Sequence, residues 1–364
     1  MSSIFITGFP GFLGSRLVAR LLDVYAPEVA LHCLVQPAYR SLAERRVAQL
    51  VGRKRAHAGR IRLHDGDVTR ARLGLGNVYQ ELAGDVQEIF HLAAIYDLGA
   101  KRAAALAVNV EGTRHVLRFA GDCAPRLRRF HHVSTCYVSG NYHGLFGEQD
   151  LDKGQSFHNH YEETKFLAEV EVQRRMRQGL PTSIYRPSIV VGDSATGATQ
   201  KYDGIYYLIH WLLRQPRIAI LPIVGDGSRY ELNFAPRDFV VEAIIHLSKL
   251  DVSQGCVYHL CDPAPLIIDD IIRLIGQATR RRIVCVPLPR IVIQGSKHLP
   301  FIQRITRIEP AALDYFTHPT RYTCHNALAH LAGSGIYCPS FASYVDNLVG
   351  FTRAHPQIPA RAMA

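Results

Sequence analysis

Several features are absent from the 364-residue sequence. No apolar run approaches the ~18 residues that a membrane-spanning helix needs. The 28 glycines and 19 prolines follow no period, which excludes a collagen-like or repetitive fibre. The start at Met1 has neither the basic segment nor the cleavage site of a secretory signal, which predicts a cytoplasmic protein. Because 48% of the residues are hydrophobic, the chain is predicted to be globular.

Cysteine is present, but without the spacing of a metal site or a disulfide framework. None of the eight cysteines forms a CxxC pair, and the closest two, Cys256 and Cys261, have four residues between them. We therefore expect reduced, mostly buried thiols. His158 and His160 have the spacing of two metal ligands, but no third ligand is evident, so no metal site is predicted.

Acidic residues are outnumbered by basic ones. The 42 basic and 31 acidic side chains give a net charge of +11, and 35 of the basic residues are arginine. Such a surplus attracts acidic partners, among them nucleic acid, anionic lipid and phosphate-bearing substrates or carriers. The basic clusters lie at residues 53–55, 126–129, 174–177 and 280–282. They lack interleaved aromatics, so no nucleic-acid platform is predicted, and most are interpreted as solvated helix faces.

The first half of the chain alternates short apolar runs with segments of helical period, which is typical of βαβ units around a parallel sheet. The predicted strands are 4–7, 31–35, 61–65, 88–92, 129–134, 183–185 and 257–261. This pattern predicts an α/β fold, a doubly wound parallel sheet (Rossmann) with a smaller C-terminal substrate lobe over the C-terminal strand ends. The predicted Rossmann domain comprises residues 1–193 and 233–262, and the predicted lobe comprises residues 194–232 and 263–364.

A glycine-rich turn follows the first predicted strand and opens a helix. After Thr7, it comprises Gly8, Phe9, Pro10, Gly11, Phe12, Leu13 and Gly14. Glycines at this spacing allow a tight turn, close approach of backbone N–H groups to a pyrophosphate, and tight packing of helix on strand. The preceding strand and following helix favour a dinucleotide site over an ordinary loop.

The second predicted strand ends without the acidic residue that would bind the adenosine ribose of NAD. Gln36 lies there, 22 residues after Gly14, and Arg40, Arg45 and Arg46 follow. An amide near guanidinium groups favours NADP over NAD, because arginine pairs bidentately with phosphate. Alternatively, these arginines form only the polar face of the next helix.

Two further strand ends supply candidate cofactor contacts. Asp67 and Val68 follow the third strand, where the carboxylate can accept a hydrogen bond from the adenine amino group. Ala93 and Ala94 follow the fourth strand, and their small side chains would let a nicotinamide ribose lie against the backbone. The neighbouring His91 is interpreted as a core histidine.

Tyr161 and Lys165 are separated by one helical turn. On a helix, residues i and i+4 share a face, and a nearby ammonium lowers the pKa of a phenol toward a value useful for proton transfer. This spacing alone is common. It gains weight from Thr135, which ends the fifth predicted strand 26 residues before Tyr161 and could donate a hydrogen bond to a carbonyl oxygen. The three residues predict a site where a carbonyl accepts hydride.

The motifs TGFPGFLG, HLAA, NVEGT, VSTCYVSG, YEETK and RPSIVVGDS occur in this order along the chain. Together they resemble the extended short-chain dehydrogenase/reductases over nearly the whole sequence. GFLG, VST and NFAPRDF are similar to the thioester-reductase and fatty acyl-CoA reductase branch. The resemblance implies that Thr135, Tyr161 and Lys165 are catalytic and that Lys165 also holds the nicotinamide ribose. It further implies a nicotinamide border formed by Pro187, Ser188, Ile189 and Val190.

One position departs from the pattern of these acyl reductases. They usually carry arginine where this chain has Gln36, so Arg40 or Arg45 would have to bind the 2′-phosphate of NADP. On the substrate side, Tyr206 and Tyr207 either line an apolar pocket or belong to the core. Cys136, beside Thr135, is either an acyl contact or a small packed side chain.

The sequence therefore predicts an NADPH-dependent oxidoreductase of lipid metabolism that reduces the carbonyl of an apolar substrate. The favoured substrate is an acyl thioester, on CoA or an acyl carrier protein, and the product is an aldehyde. Two alternatives keep the fold: a ketone or hydroxysteroid dehydrogenase, and a sugar-nucleotide epimerase or dehydratase. A third is an NADP-binding redox sensor without turnover. A peripheral membrane contact through residues 208–213 is left open.

Overall fold

The computed structural model describes residues 3–97, 99–224, 226–288 and 318–358. Its strands are β1 (Ser3–Thr7), β2 (Ala30–Val35), β3 (Ile61–Asp65), β4 (Val86–His91), β5 (Arg129–Val133), β6 (Gly144–Phe146), β7 (Thr182–Pro187), β8 (Ile189–Val191), β9 (Ile218–Val224), β10 (Glu231–Leu232), β11 (Phe234–Pro236), β12 (Val257–Leu260), β13 (Leu266–Ile267), β14 (Arg282–Leu288) and β15 (Thr320–Tyr322).

The helices of the described residues flank these strands. They are α1 (Phe12–Val24), α2 (Arg40–Arg53), α3 (Val78–Asp85), α4 (Arg102–Ala105), α5 (Gly112–Asp122), α6 (His160–Arg177), α7 (Ile205–Leu213), α8 (Arg237–Ser248), α9 (Ile268–Thr279), α10 (His325–Leu331) and α11 (Phe341–Ala354). A π-helical turn, Leu106–Glu111, leads into α5. None of the helices in the described ranges is long and apolar enough to cross a membrane.

Seven parallel strands form the main sheet in the order β12-β7-β5-β4-β1-β2-β3. The order reverses between β1 and β4, so the crossover connections wind in both directions and place helices on both faces. The prediction of a doubly wound parallel sheet is confirmed, including the return of the chain near residue 257 to its edge. At the reversal point, the connections that follow β1 and β4 lead to opposite faces of the sheet and leave room for a ligand.

Apolar side chains on both faces of the sheet hold this body together. On one face, α1 and α8 pack over β1 and β2, and Leu17, Val18, Leu21 and Leu22 of α1 are all buried there. On the other face, α3 and α5 pack against the strands through residues such as Phe119. Spacing by three and four residues puts these side chains on one helix face, as the sequence predicts.

A separate apolar cluster joins the segments of the predicted substrate lobe. It unites α7, α9 and α11 through buried residues such as Ile209, Ile275 and Leu348. Residues 320–331 belong elsewhere, because β15 pairs with β6 and Ala327 of α10 packs into the core beneath α8. The division of the chain into a Rossmann domain and a substrate lobe stays a prediction. Residues 289–317 and 359–364 of the predicted lobe lie outside the described residues.

Candidate active site

Helix α6, which carries Tyr161 and Lys165, begins where its capping residues dictate. Asn159 is the N-cap, and its side-chain oxygen accepts a hydrogen bond from the Glu162 backbone N–H at 3.0 Å. Glu162 in turn accepts a bond from the His158 backbone N–H at 3.0 Å. These reciprocal bonds satisfy amides that a helix start leaves open. They place Tyr161 in the first turn of α6 and Lys165 one turn later.

Thr135, Tyr161 and Lys165 converge at the C-terminal end of β5, as the spacing predicts. Thr135 hydrogen-bonds to the Tyr161 phenol and donates to the Pro187 carbonyl at 3.3 Å. The Lys165 ammonium donates to the Val133 carbonyl at 2.9 Å. Tyr161 is partly exposed, whereas the other two side chains are buried. Tyr161 is therefore the member of the trio whose side chain keeps some contact with solvent, while its hydroxyl is buried beside Thr135.

The expectation of a lowered phenol pKa is wrong for the described structure. Burial raises the pKa of Tyr161 to about 12, and only the hydrogen bond with Thr135 acts in the opposite direction. The phenol is therefore protonated at neutral pH. A protonated phenol is the form needed to donate a proton to an oxygen that gains negative charge.

Lys165 is the titratable member of the trio near physiological pH. Burial lowers its pKa to about 8, although the Glu169 carboxylate raises it. Its charge also lowers the pKa of the buried His91. His91 lies between the Thr7 and Thr113 hydroxyls, at 2.7 and 3.0 Å, which fits its interpretation as a core histidine.

Asn109 braces the site, and sequence reasoning did not single it out. Its side chain accepts a hydrogen bond from the Ile95 N–H at 2.8 Å and donates to the Ile95 carbonyl at 3.0 Å. It also donates to Thr164 of α6 at 2.9 Å. The buried amide thus ties the loop after β4 to the catalytic helix. The motif NVEGT contained it, but only the fold reveals its partners.

The glycine-rich turn fits the pyrophosphate of a dinucleotide. Gly8 has a φ of 91°, and a Cβ there would lie 2.8 Å from the Leu92 carbonyl carbon. A Cβ on Gly14 would collide with the Gly8 carbonyl. Helix α1 follows with Gly11 as N-cap, no capping side chain and no acidic residue in its first turn. Its N–H groups and positive dipole end therefore remain available to an anion.

Two arginines strengthen this anion site. The Arg237 guanidinium lies over the Phe12 ring at 4.8 Å, and the neighbouring charge of Arg16 contributes to a lowered Arg237 pKa, whose largest cause is burial. Both Nε atoms are buried, with no hydrogen-bond partner within the described ranges. Two like charges beside a helix N-terminus suit a phosphate group.

The predicted nicotinamide border lies beside the catalytic trio. Pro187 ends β7, and its carbonyl accepts the Thr135 hydrogen bond. Ile189 and Val190 lie in β8, which pairs with β11. The Ser188 hydroxyl is buried without a hydrogen-bond partner among the described residues. An unsatisfied hydroxyl at this position fits a polar group such as a carboxamide.

The remaining cofactor candidates surround the turn. The Ala93 N–H donates to Thr7 at 3.1 Å, which holds the loop containing Ala94 over the end of β1. Val68 is buried, and its Cγ2 would lie 2.9 Å from a Cβ at Gly112. The small residues Ala93, Ala94 and Gly112 thus allow close packing, in addition to any role that the two alanines have in cofactor binding.

The end of β2 is arranged differently from a simple phosphate site. Gln36 donates to the Asp67 carboxylate at 3.0 Å, so these two candidates are joined. The Arg40 guanidinium is engaged by Glu44 and Asp65 at 2.9 and 3.0 Å. Arg45 is exposed on α2. Binding of a 2′-phosphate by Arg40 would require those surface ion pairs to rearrange.

Two of the predicted substrate contacts are buried instead. Cys136 is fully buried, and its thiol donates to the Arg186 carbonyl at 3.0 Å. Tyr206 lies in the lobe core, where its hydroxyl accepts a hydrogen bond from the Gly192 N–H at 2.8 Å. Burial of both side chains agrees with the alternative that they are packed core residues, and their contact with substrate stays a prediction. Tyr207 is half-buried on α7.

Two residues that sequence reasoning missed lie on the open side of Tyr161. Tyr96 is exposed in the loop after β4, and its pKa is raised by burial of its hydroxyl and by the neighbouring Asp203 and Tyr161. The Lys201 ammonium lies 4.4 Å from the Tyr96 ring centroid and 2.9 Å from Asp203. No local sequence signal connects residues 96 and 201, since the fold alone brings them together.

The histidines before Tyr161 have structural partners. The His158 ring lies 3.2 Å from the Glu162 carboxylate, and the His160 ring lies 3.5 Å from Glu163. No group of three metal-ligating side chains occurs in the part of the chain that the structure describes.

The doubly wound sheet, glycine-rich turn and Thr-Tyr-Lys trio define an oxidoreductase of the extended short-chain dehydrogenase/reductase class, in its thioester-reductase branch. More narrowly, the chain belongs to the family of NAD-binding domains described as male sterility protein, whose sequence model matches residues 6–244.

Relatives agree with this assignment. The chain is 31% identical over 280 residues to a component of the linear gramicidin synthase of Brevibacillus parabrevis, and the match covers 74% of this chain and 5% of that protein. It thus spans a small part of the curated relatives it matches.

Solved structures share the architecture. The terminal R domain from the myxalamid PKS-NRPS biosynthetic pathway superposes with a TM-score of 0.81 and 26% identity, covering 99% of this chain and 92% of that one. A thiolation-reductase di-domain from an archaeal non-ribosomal peptide synthetase gives a TM-score of 0.74 at 18% identity, covering 98% and 76%, and supports the fold.

Proposed function

We propose that this protein reduces an acyl thioester on a carrier protein to an aldehyde, with NADPH as reductant. The observation that carries the proposal is the hydrogen-bonded Thr135–Tyr161 pair, with its protonated phenol beside a dinucleotide cradle. Such a pair can stabilise an oxyanion and protonate it. Similarity to reductase domains, one of them joined to a thiolation domain, favours a carrier-bound thioester.

The residues have distinct tasks in this reaction. When bound, NADPH supplies the hydride that the thioester carbonyl carbon accepts. Thr135 holds the carbonyl oxygen, and Tyr161 donates its phenolic proton as negative charge develops there. Lys165, whose ammonium is anchored on the Val133 carbonyl, would hold the cofactor ribose. The resulting hemithioacetal breaks its C–S bond, releasing the thiol of the carrier and the aldehyde.

The choice of NADPH over NADH rests on the arginine-rich surface after β2. Gln36 presents a neutral amide where an acidic residue would repel a 2′-phosphate. Arg45 lies exposed on the adjoining helix α2. Arg40 is held by two surface pairs, which are weak, and by a hydrogen bond to the Leu63 carbonyl at 3.3 Å. A 2′-phosphate would compete for both guanidinium groups.

The test is NADPH consumption and aldehyde formation by the purified protein. The substrates are an octanoyl thioester of a carrier protein, octanoyl-CoA, octanal and a steroid ketone. We expect thioester turnover that Tyr161→Phe abolishes, whereas the matched control Tyr337→Phe, at an exposed tyrosine, retains it. Full retention of thioester reduction in a Tyr161→Phe, Lys165→Met double variant would contradict the proposal.

Two of the alternatives have their own outcomes in this assay. If NADPH is consumed with octanal or the steroid ketone but not with the thioesters, the function would be reduction of an aldehyde or ketone by the same catalytic residues. Dinucleotide binding without turnover of any substrate would favour the redox sensor.

A further inference from the structure

An uncovered apolar sheet face lies on the surface of the lobe. Strands β9 and β14 pair in parallel, with Ile220 opposite Val284. On their outer face, Ile218, Ile220, Val284 and Val286 are 60%, 56%, 44% and 41% exposed. Alternate residues of β9, such as Ala219, are buried in the lobe core. Single exposed apolar residues are ordinary, but four adjacent ones on one face mark an interaction surface.

Positive charge surrounds this face. Arg217 and Arg282 are exposed where the two strands begin, and Arg214 and Arg280 are exposed shortly before them in the chain. None of the four forms an ion pair with another described residue. A groove of about 800 Å³ that Arg217, Arg280 and Arg282 line lies on the other side of the strands, where Ile283 faces α9. We refer to the four strand residues and the four arginines as the β9–β14 surface.

The β9–β14 surface is connected to the active site by a single short helix. At one end of α7, the Tyr206 hydroxyl contacts Gly192, just beyond the predicted nicotinamide border. At the other end, α7 leads into Arg214 and the turn before β9. Nine helical residues span about 13 Å at ~1.5 Å per residue. A flexible arm attached to a partner on this surface could reach the site along α7.

We propose that the β9–β14 surface docks the acidic carrier protein that delivers the acyl thioester. The inference rests on the proposed function and adds to it the place where the partner binds. An apolar centre with a cationic border complements a partner that presents apolar side chains among carboxylates.

Other occupants fit the surface less well. A second copy of the chain, with a net charge of +11, would bring arginines against arginines. Nucleic acid binds aromatic platforms, and the outer face of the strands is aliphatic.

The test compares two substrates that carry the same acyl group. One is an octanoyl thioester on a recombinant acyl carrier protein of net negative charge, and the other is uncharged octanoyl-N-acetylcysteamine. The readout is the ratio of kcat/KM for the carrier substrate to kcat/KM for the small one. In the variant Arg217→Glu, Arg282→Glu, we expect the ratio to fall about tenfold or more. Any general loss of folded enzyme affects both rates and leaves the ratio unchanged.

A matched control has the same change in charge at a distant place. Arg126→Glu, Arg128→Glu reverses two exposed arginines just before β5, at the opposite edge of the sheet from the site. Its ratio should match that of the unmodified protein. The uncharged change Val284→Ser should lower the ratio as well, because it weakens the apolar centre without altering the charge.

The outcomes separate the two proposals. If the unmodified protein reduces neither thioester, the proposed function fails. If it reduces the small thioester and not the carrier substrate, or if the arginine variant keeps the unmodified ratio, docking at this surface is contradicted while thioester reduction stands. Arginine-dependent sedimentation with phosphatidylglycerol vesicles, together with an unchanged ratio, would assign the surface to a membrane instead.

Discussion

At the scale of single residues, the protonation state of Tyr161 matters for the proposed chemistry. Burial raises its pKa to about 12, which keeps the phenol protonated at neutral pH. A proton donor for carbonyl reduction needs the phenol rather than the phenolate. The Thr135–Tyr161 pair therefore holds the protonated form that the proposed reduction requires.

Lys165 should set the alkaline limb of the pH profile. Because burial lowers its pKa to about 8, its ammonium form predominates below that pH and is lost above it. We expect kcat/KM for the thioester to fall above about pH 8, by ~10-fold per pH unit at the limit. The measurement is a profile between about pH 6 and about pH 10. In Lys165→Arg the side chain stays charged, so the limb should disappear, and a limb at the same pH would refute the assignment.

At the scale of elements, a buried ion pair fastens α6 to β7. The Arg186 guanidinium and Glu169 carboxylate are both fully buried and 2.6 Å apart, and Ser134 donates to Glu169 at 2.6 Å. Burial raises the pKa of Glu169, but Arg186 and its hydrogen bonds lower it below its usual range. This pair keeps the helix that carries Tyr161 in register with the sheet.

Glu169→Gln should lower the free energy of unfolding by about 3–5 kcal/mol, because it leaves the buried Arg186 charge uncompensated. Denaturant unfolding measures the change. The control is Glu111→Gln, which breaks an exposed pair with Arg114 and should change the value by less than about 1 kcal/mol. A loss below about 1 kcal/mol in Glu169→Gln would show that the pair is dispensable.

The same elements show what local pattern can predict. The strand predicted at 61–65 coincides with β3, but the one predicted at 183–185 extends to Thr182–Pro187. The predicted strand stops before Arg186 because an arginine is usually a surface residue. The sequence does not show that the buried Glu169 carboxylate pairs with it. Helix α5 is preceded by the π-helical turn Leu106–Glu111, a departure from helical period that no spacing rule signals.

At the scale of the whole molecule, the order of motifs along the chain predicts the parallel sheet and the meeting of Thr135 with Tyr161. The contacts made across the fold are not predictable in this way. Asn109 reaches Ile95 and Thr164, and Tyr206 is drawn into the lobe core, through packing between distant segments. Sequence periodicity identifies buried faces, but it does not identify which distant polar group each will meet.

Cofactor binding should stabilise the whole molecule by mass action. A ligand at 100 times its Kd adds about 2.7 kcal/mol to the free energy of unfolding, which raises the Tm by a few degrees. If the arginines after β2 bind the 2′-phosphate, NADPH should raise the Tm more than NADH at equal concentration. Arg45→Ala should narrow that difference, because it removes an exposed guanidinium. Scanning calorimetry measures the Tm shifts of the unmodified protein and of Arg45→Ala with each dinucleotide. Equal shifts with NADPH and NADH in the unmodified protein would reject the preference for NADPH.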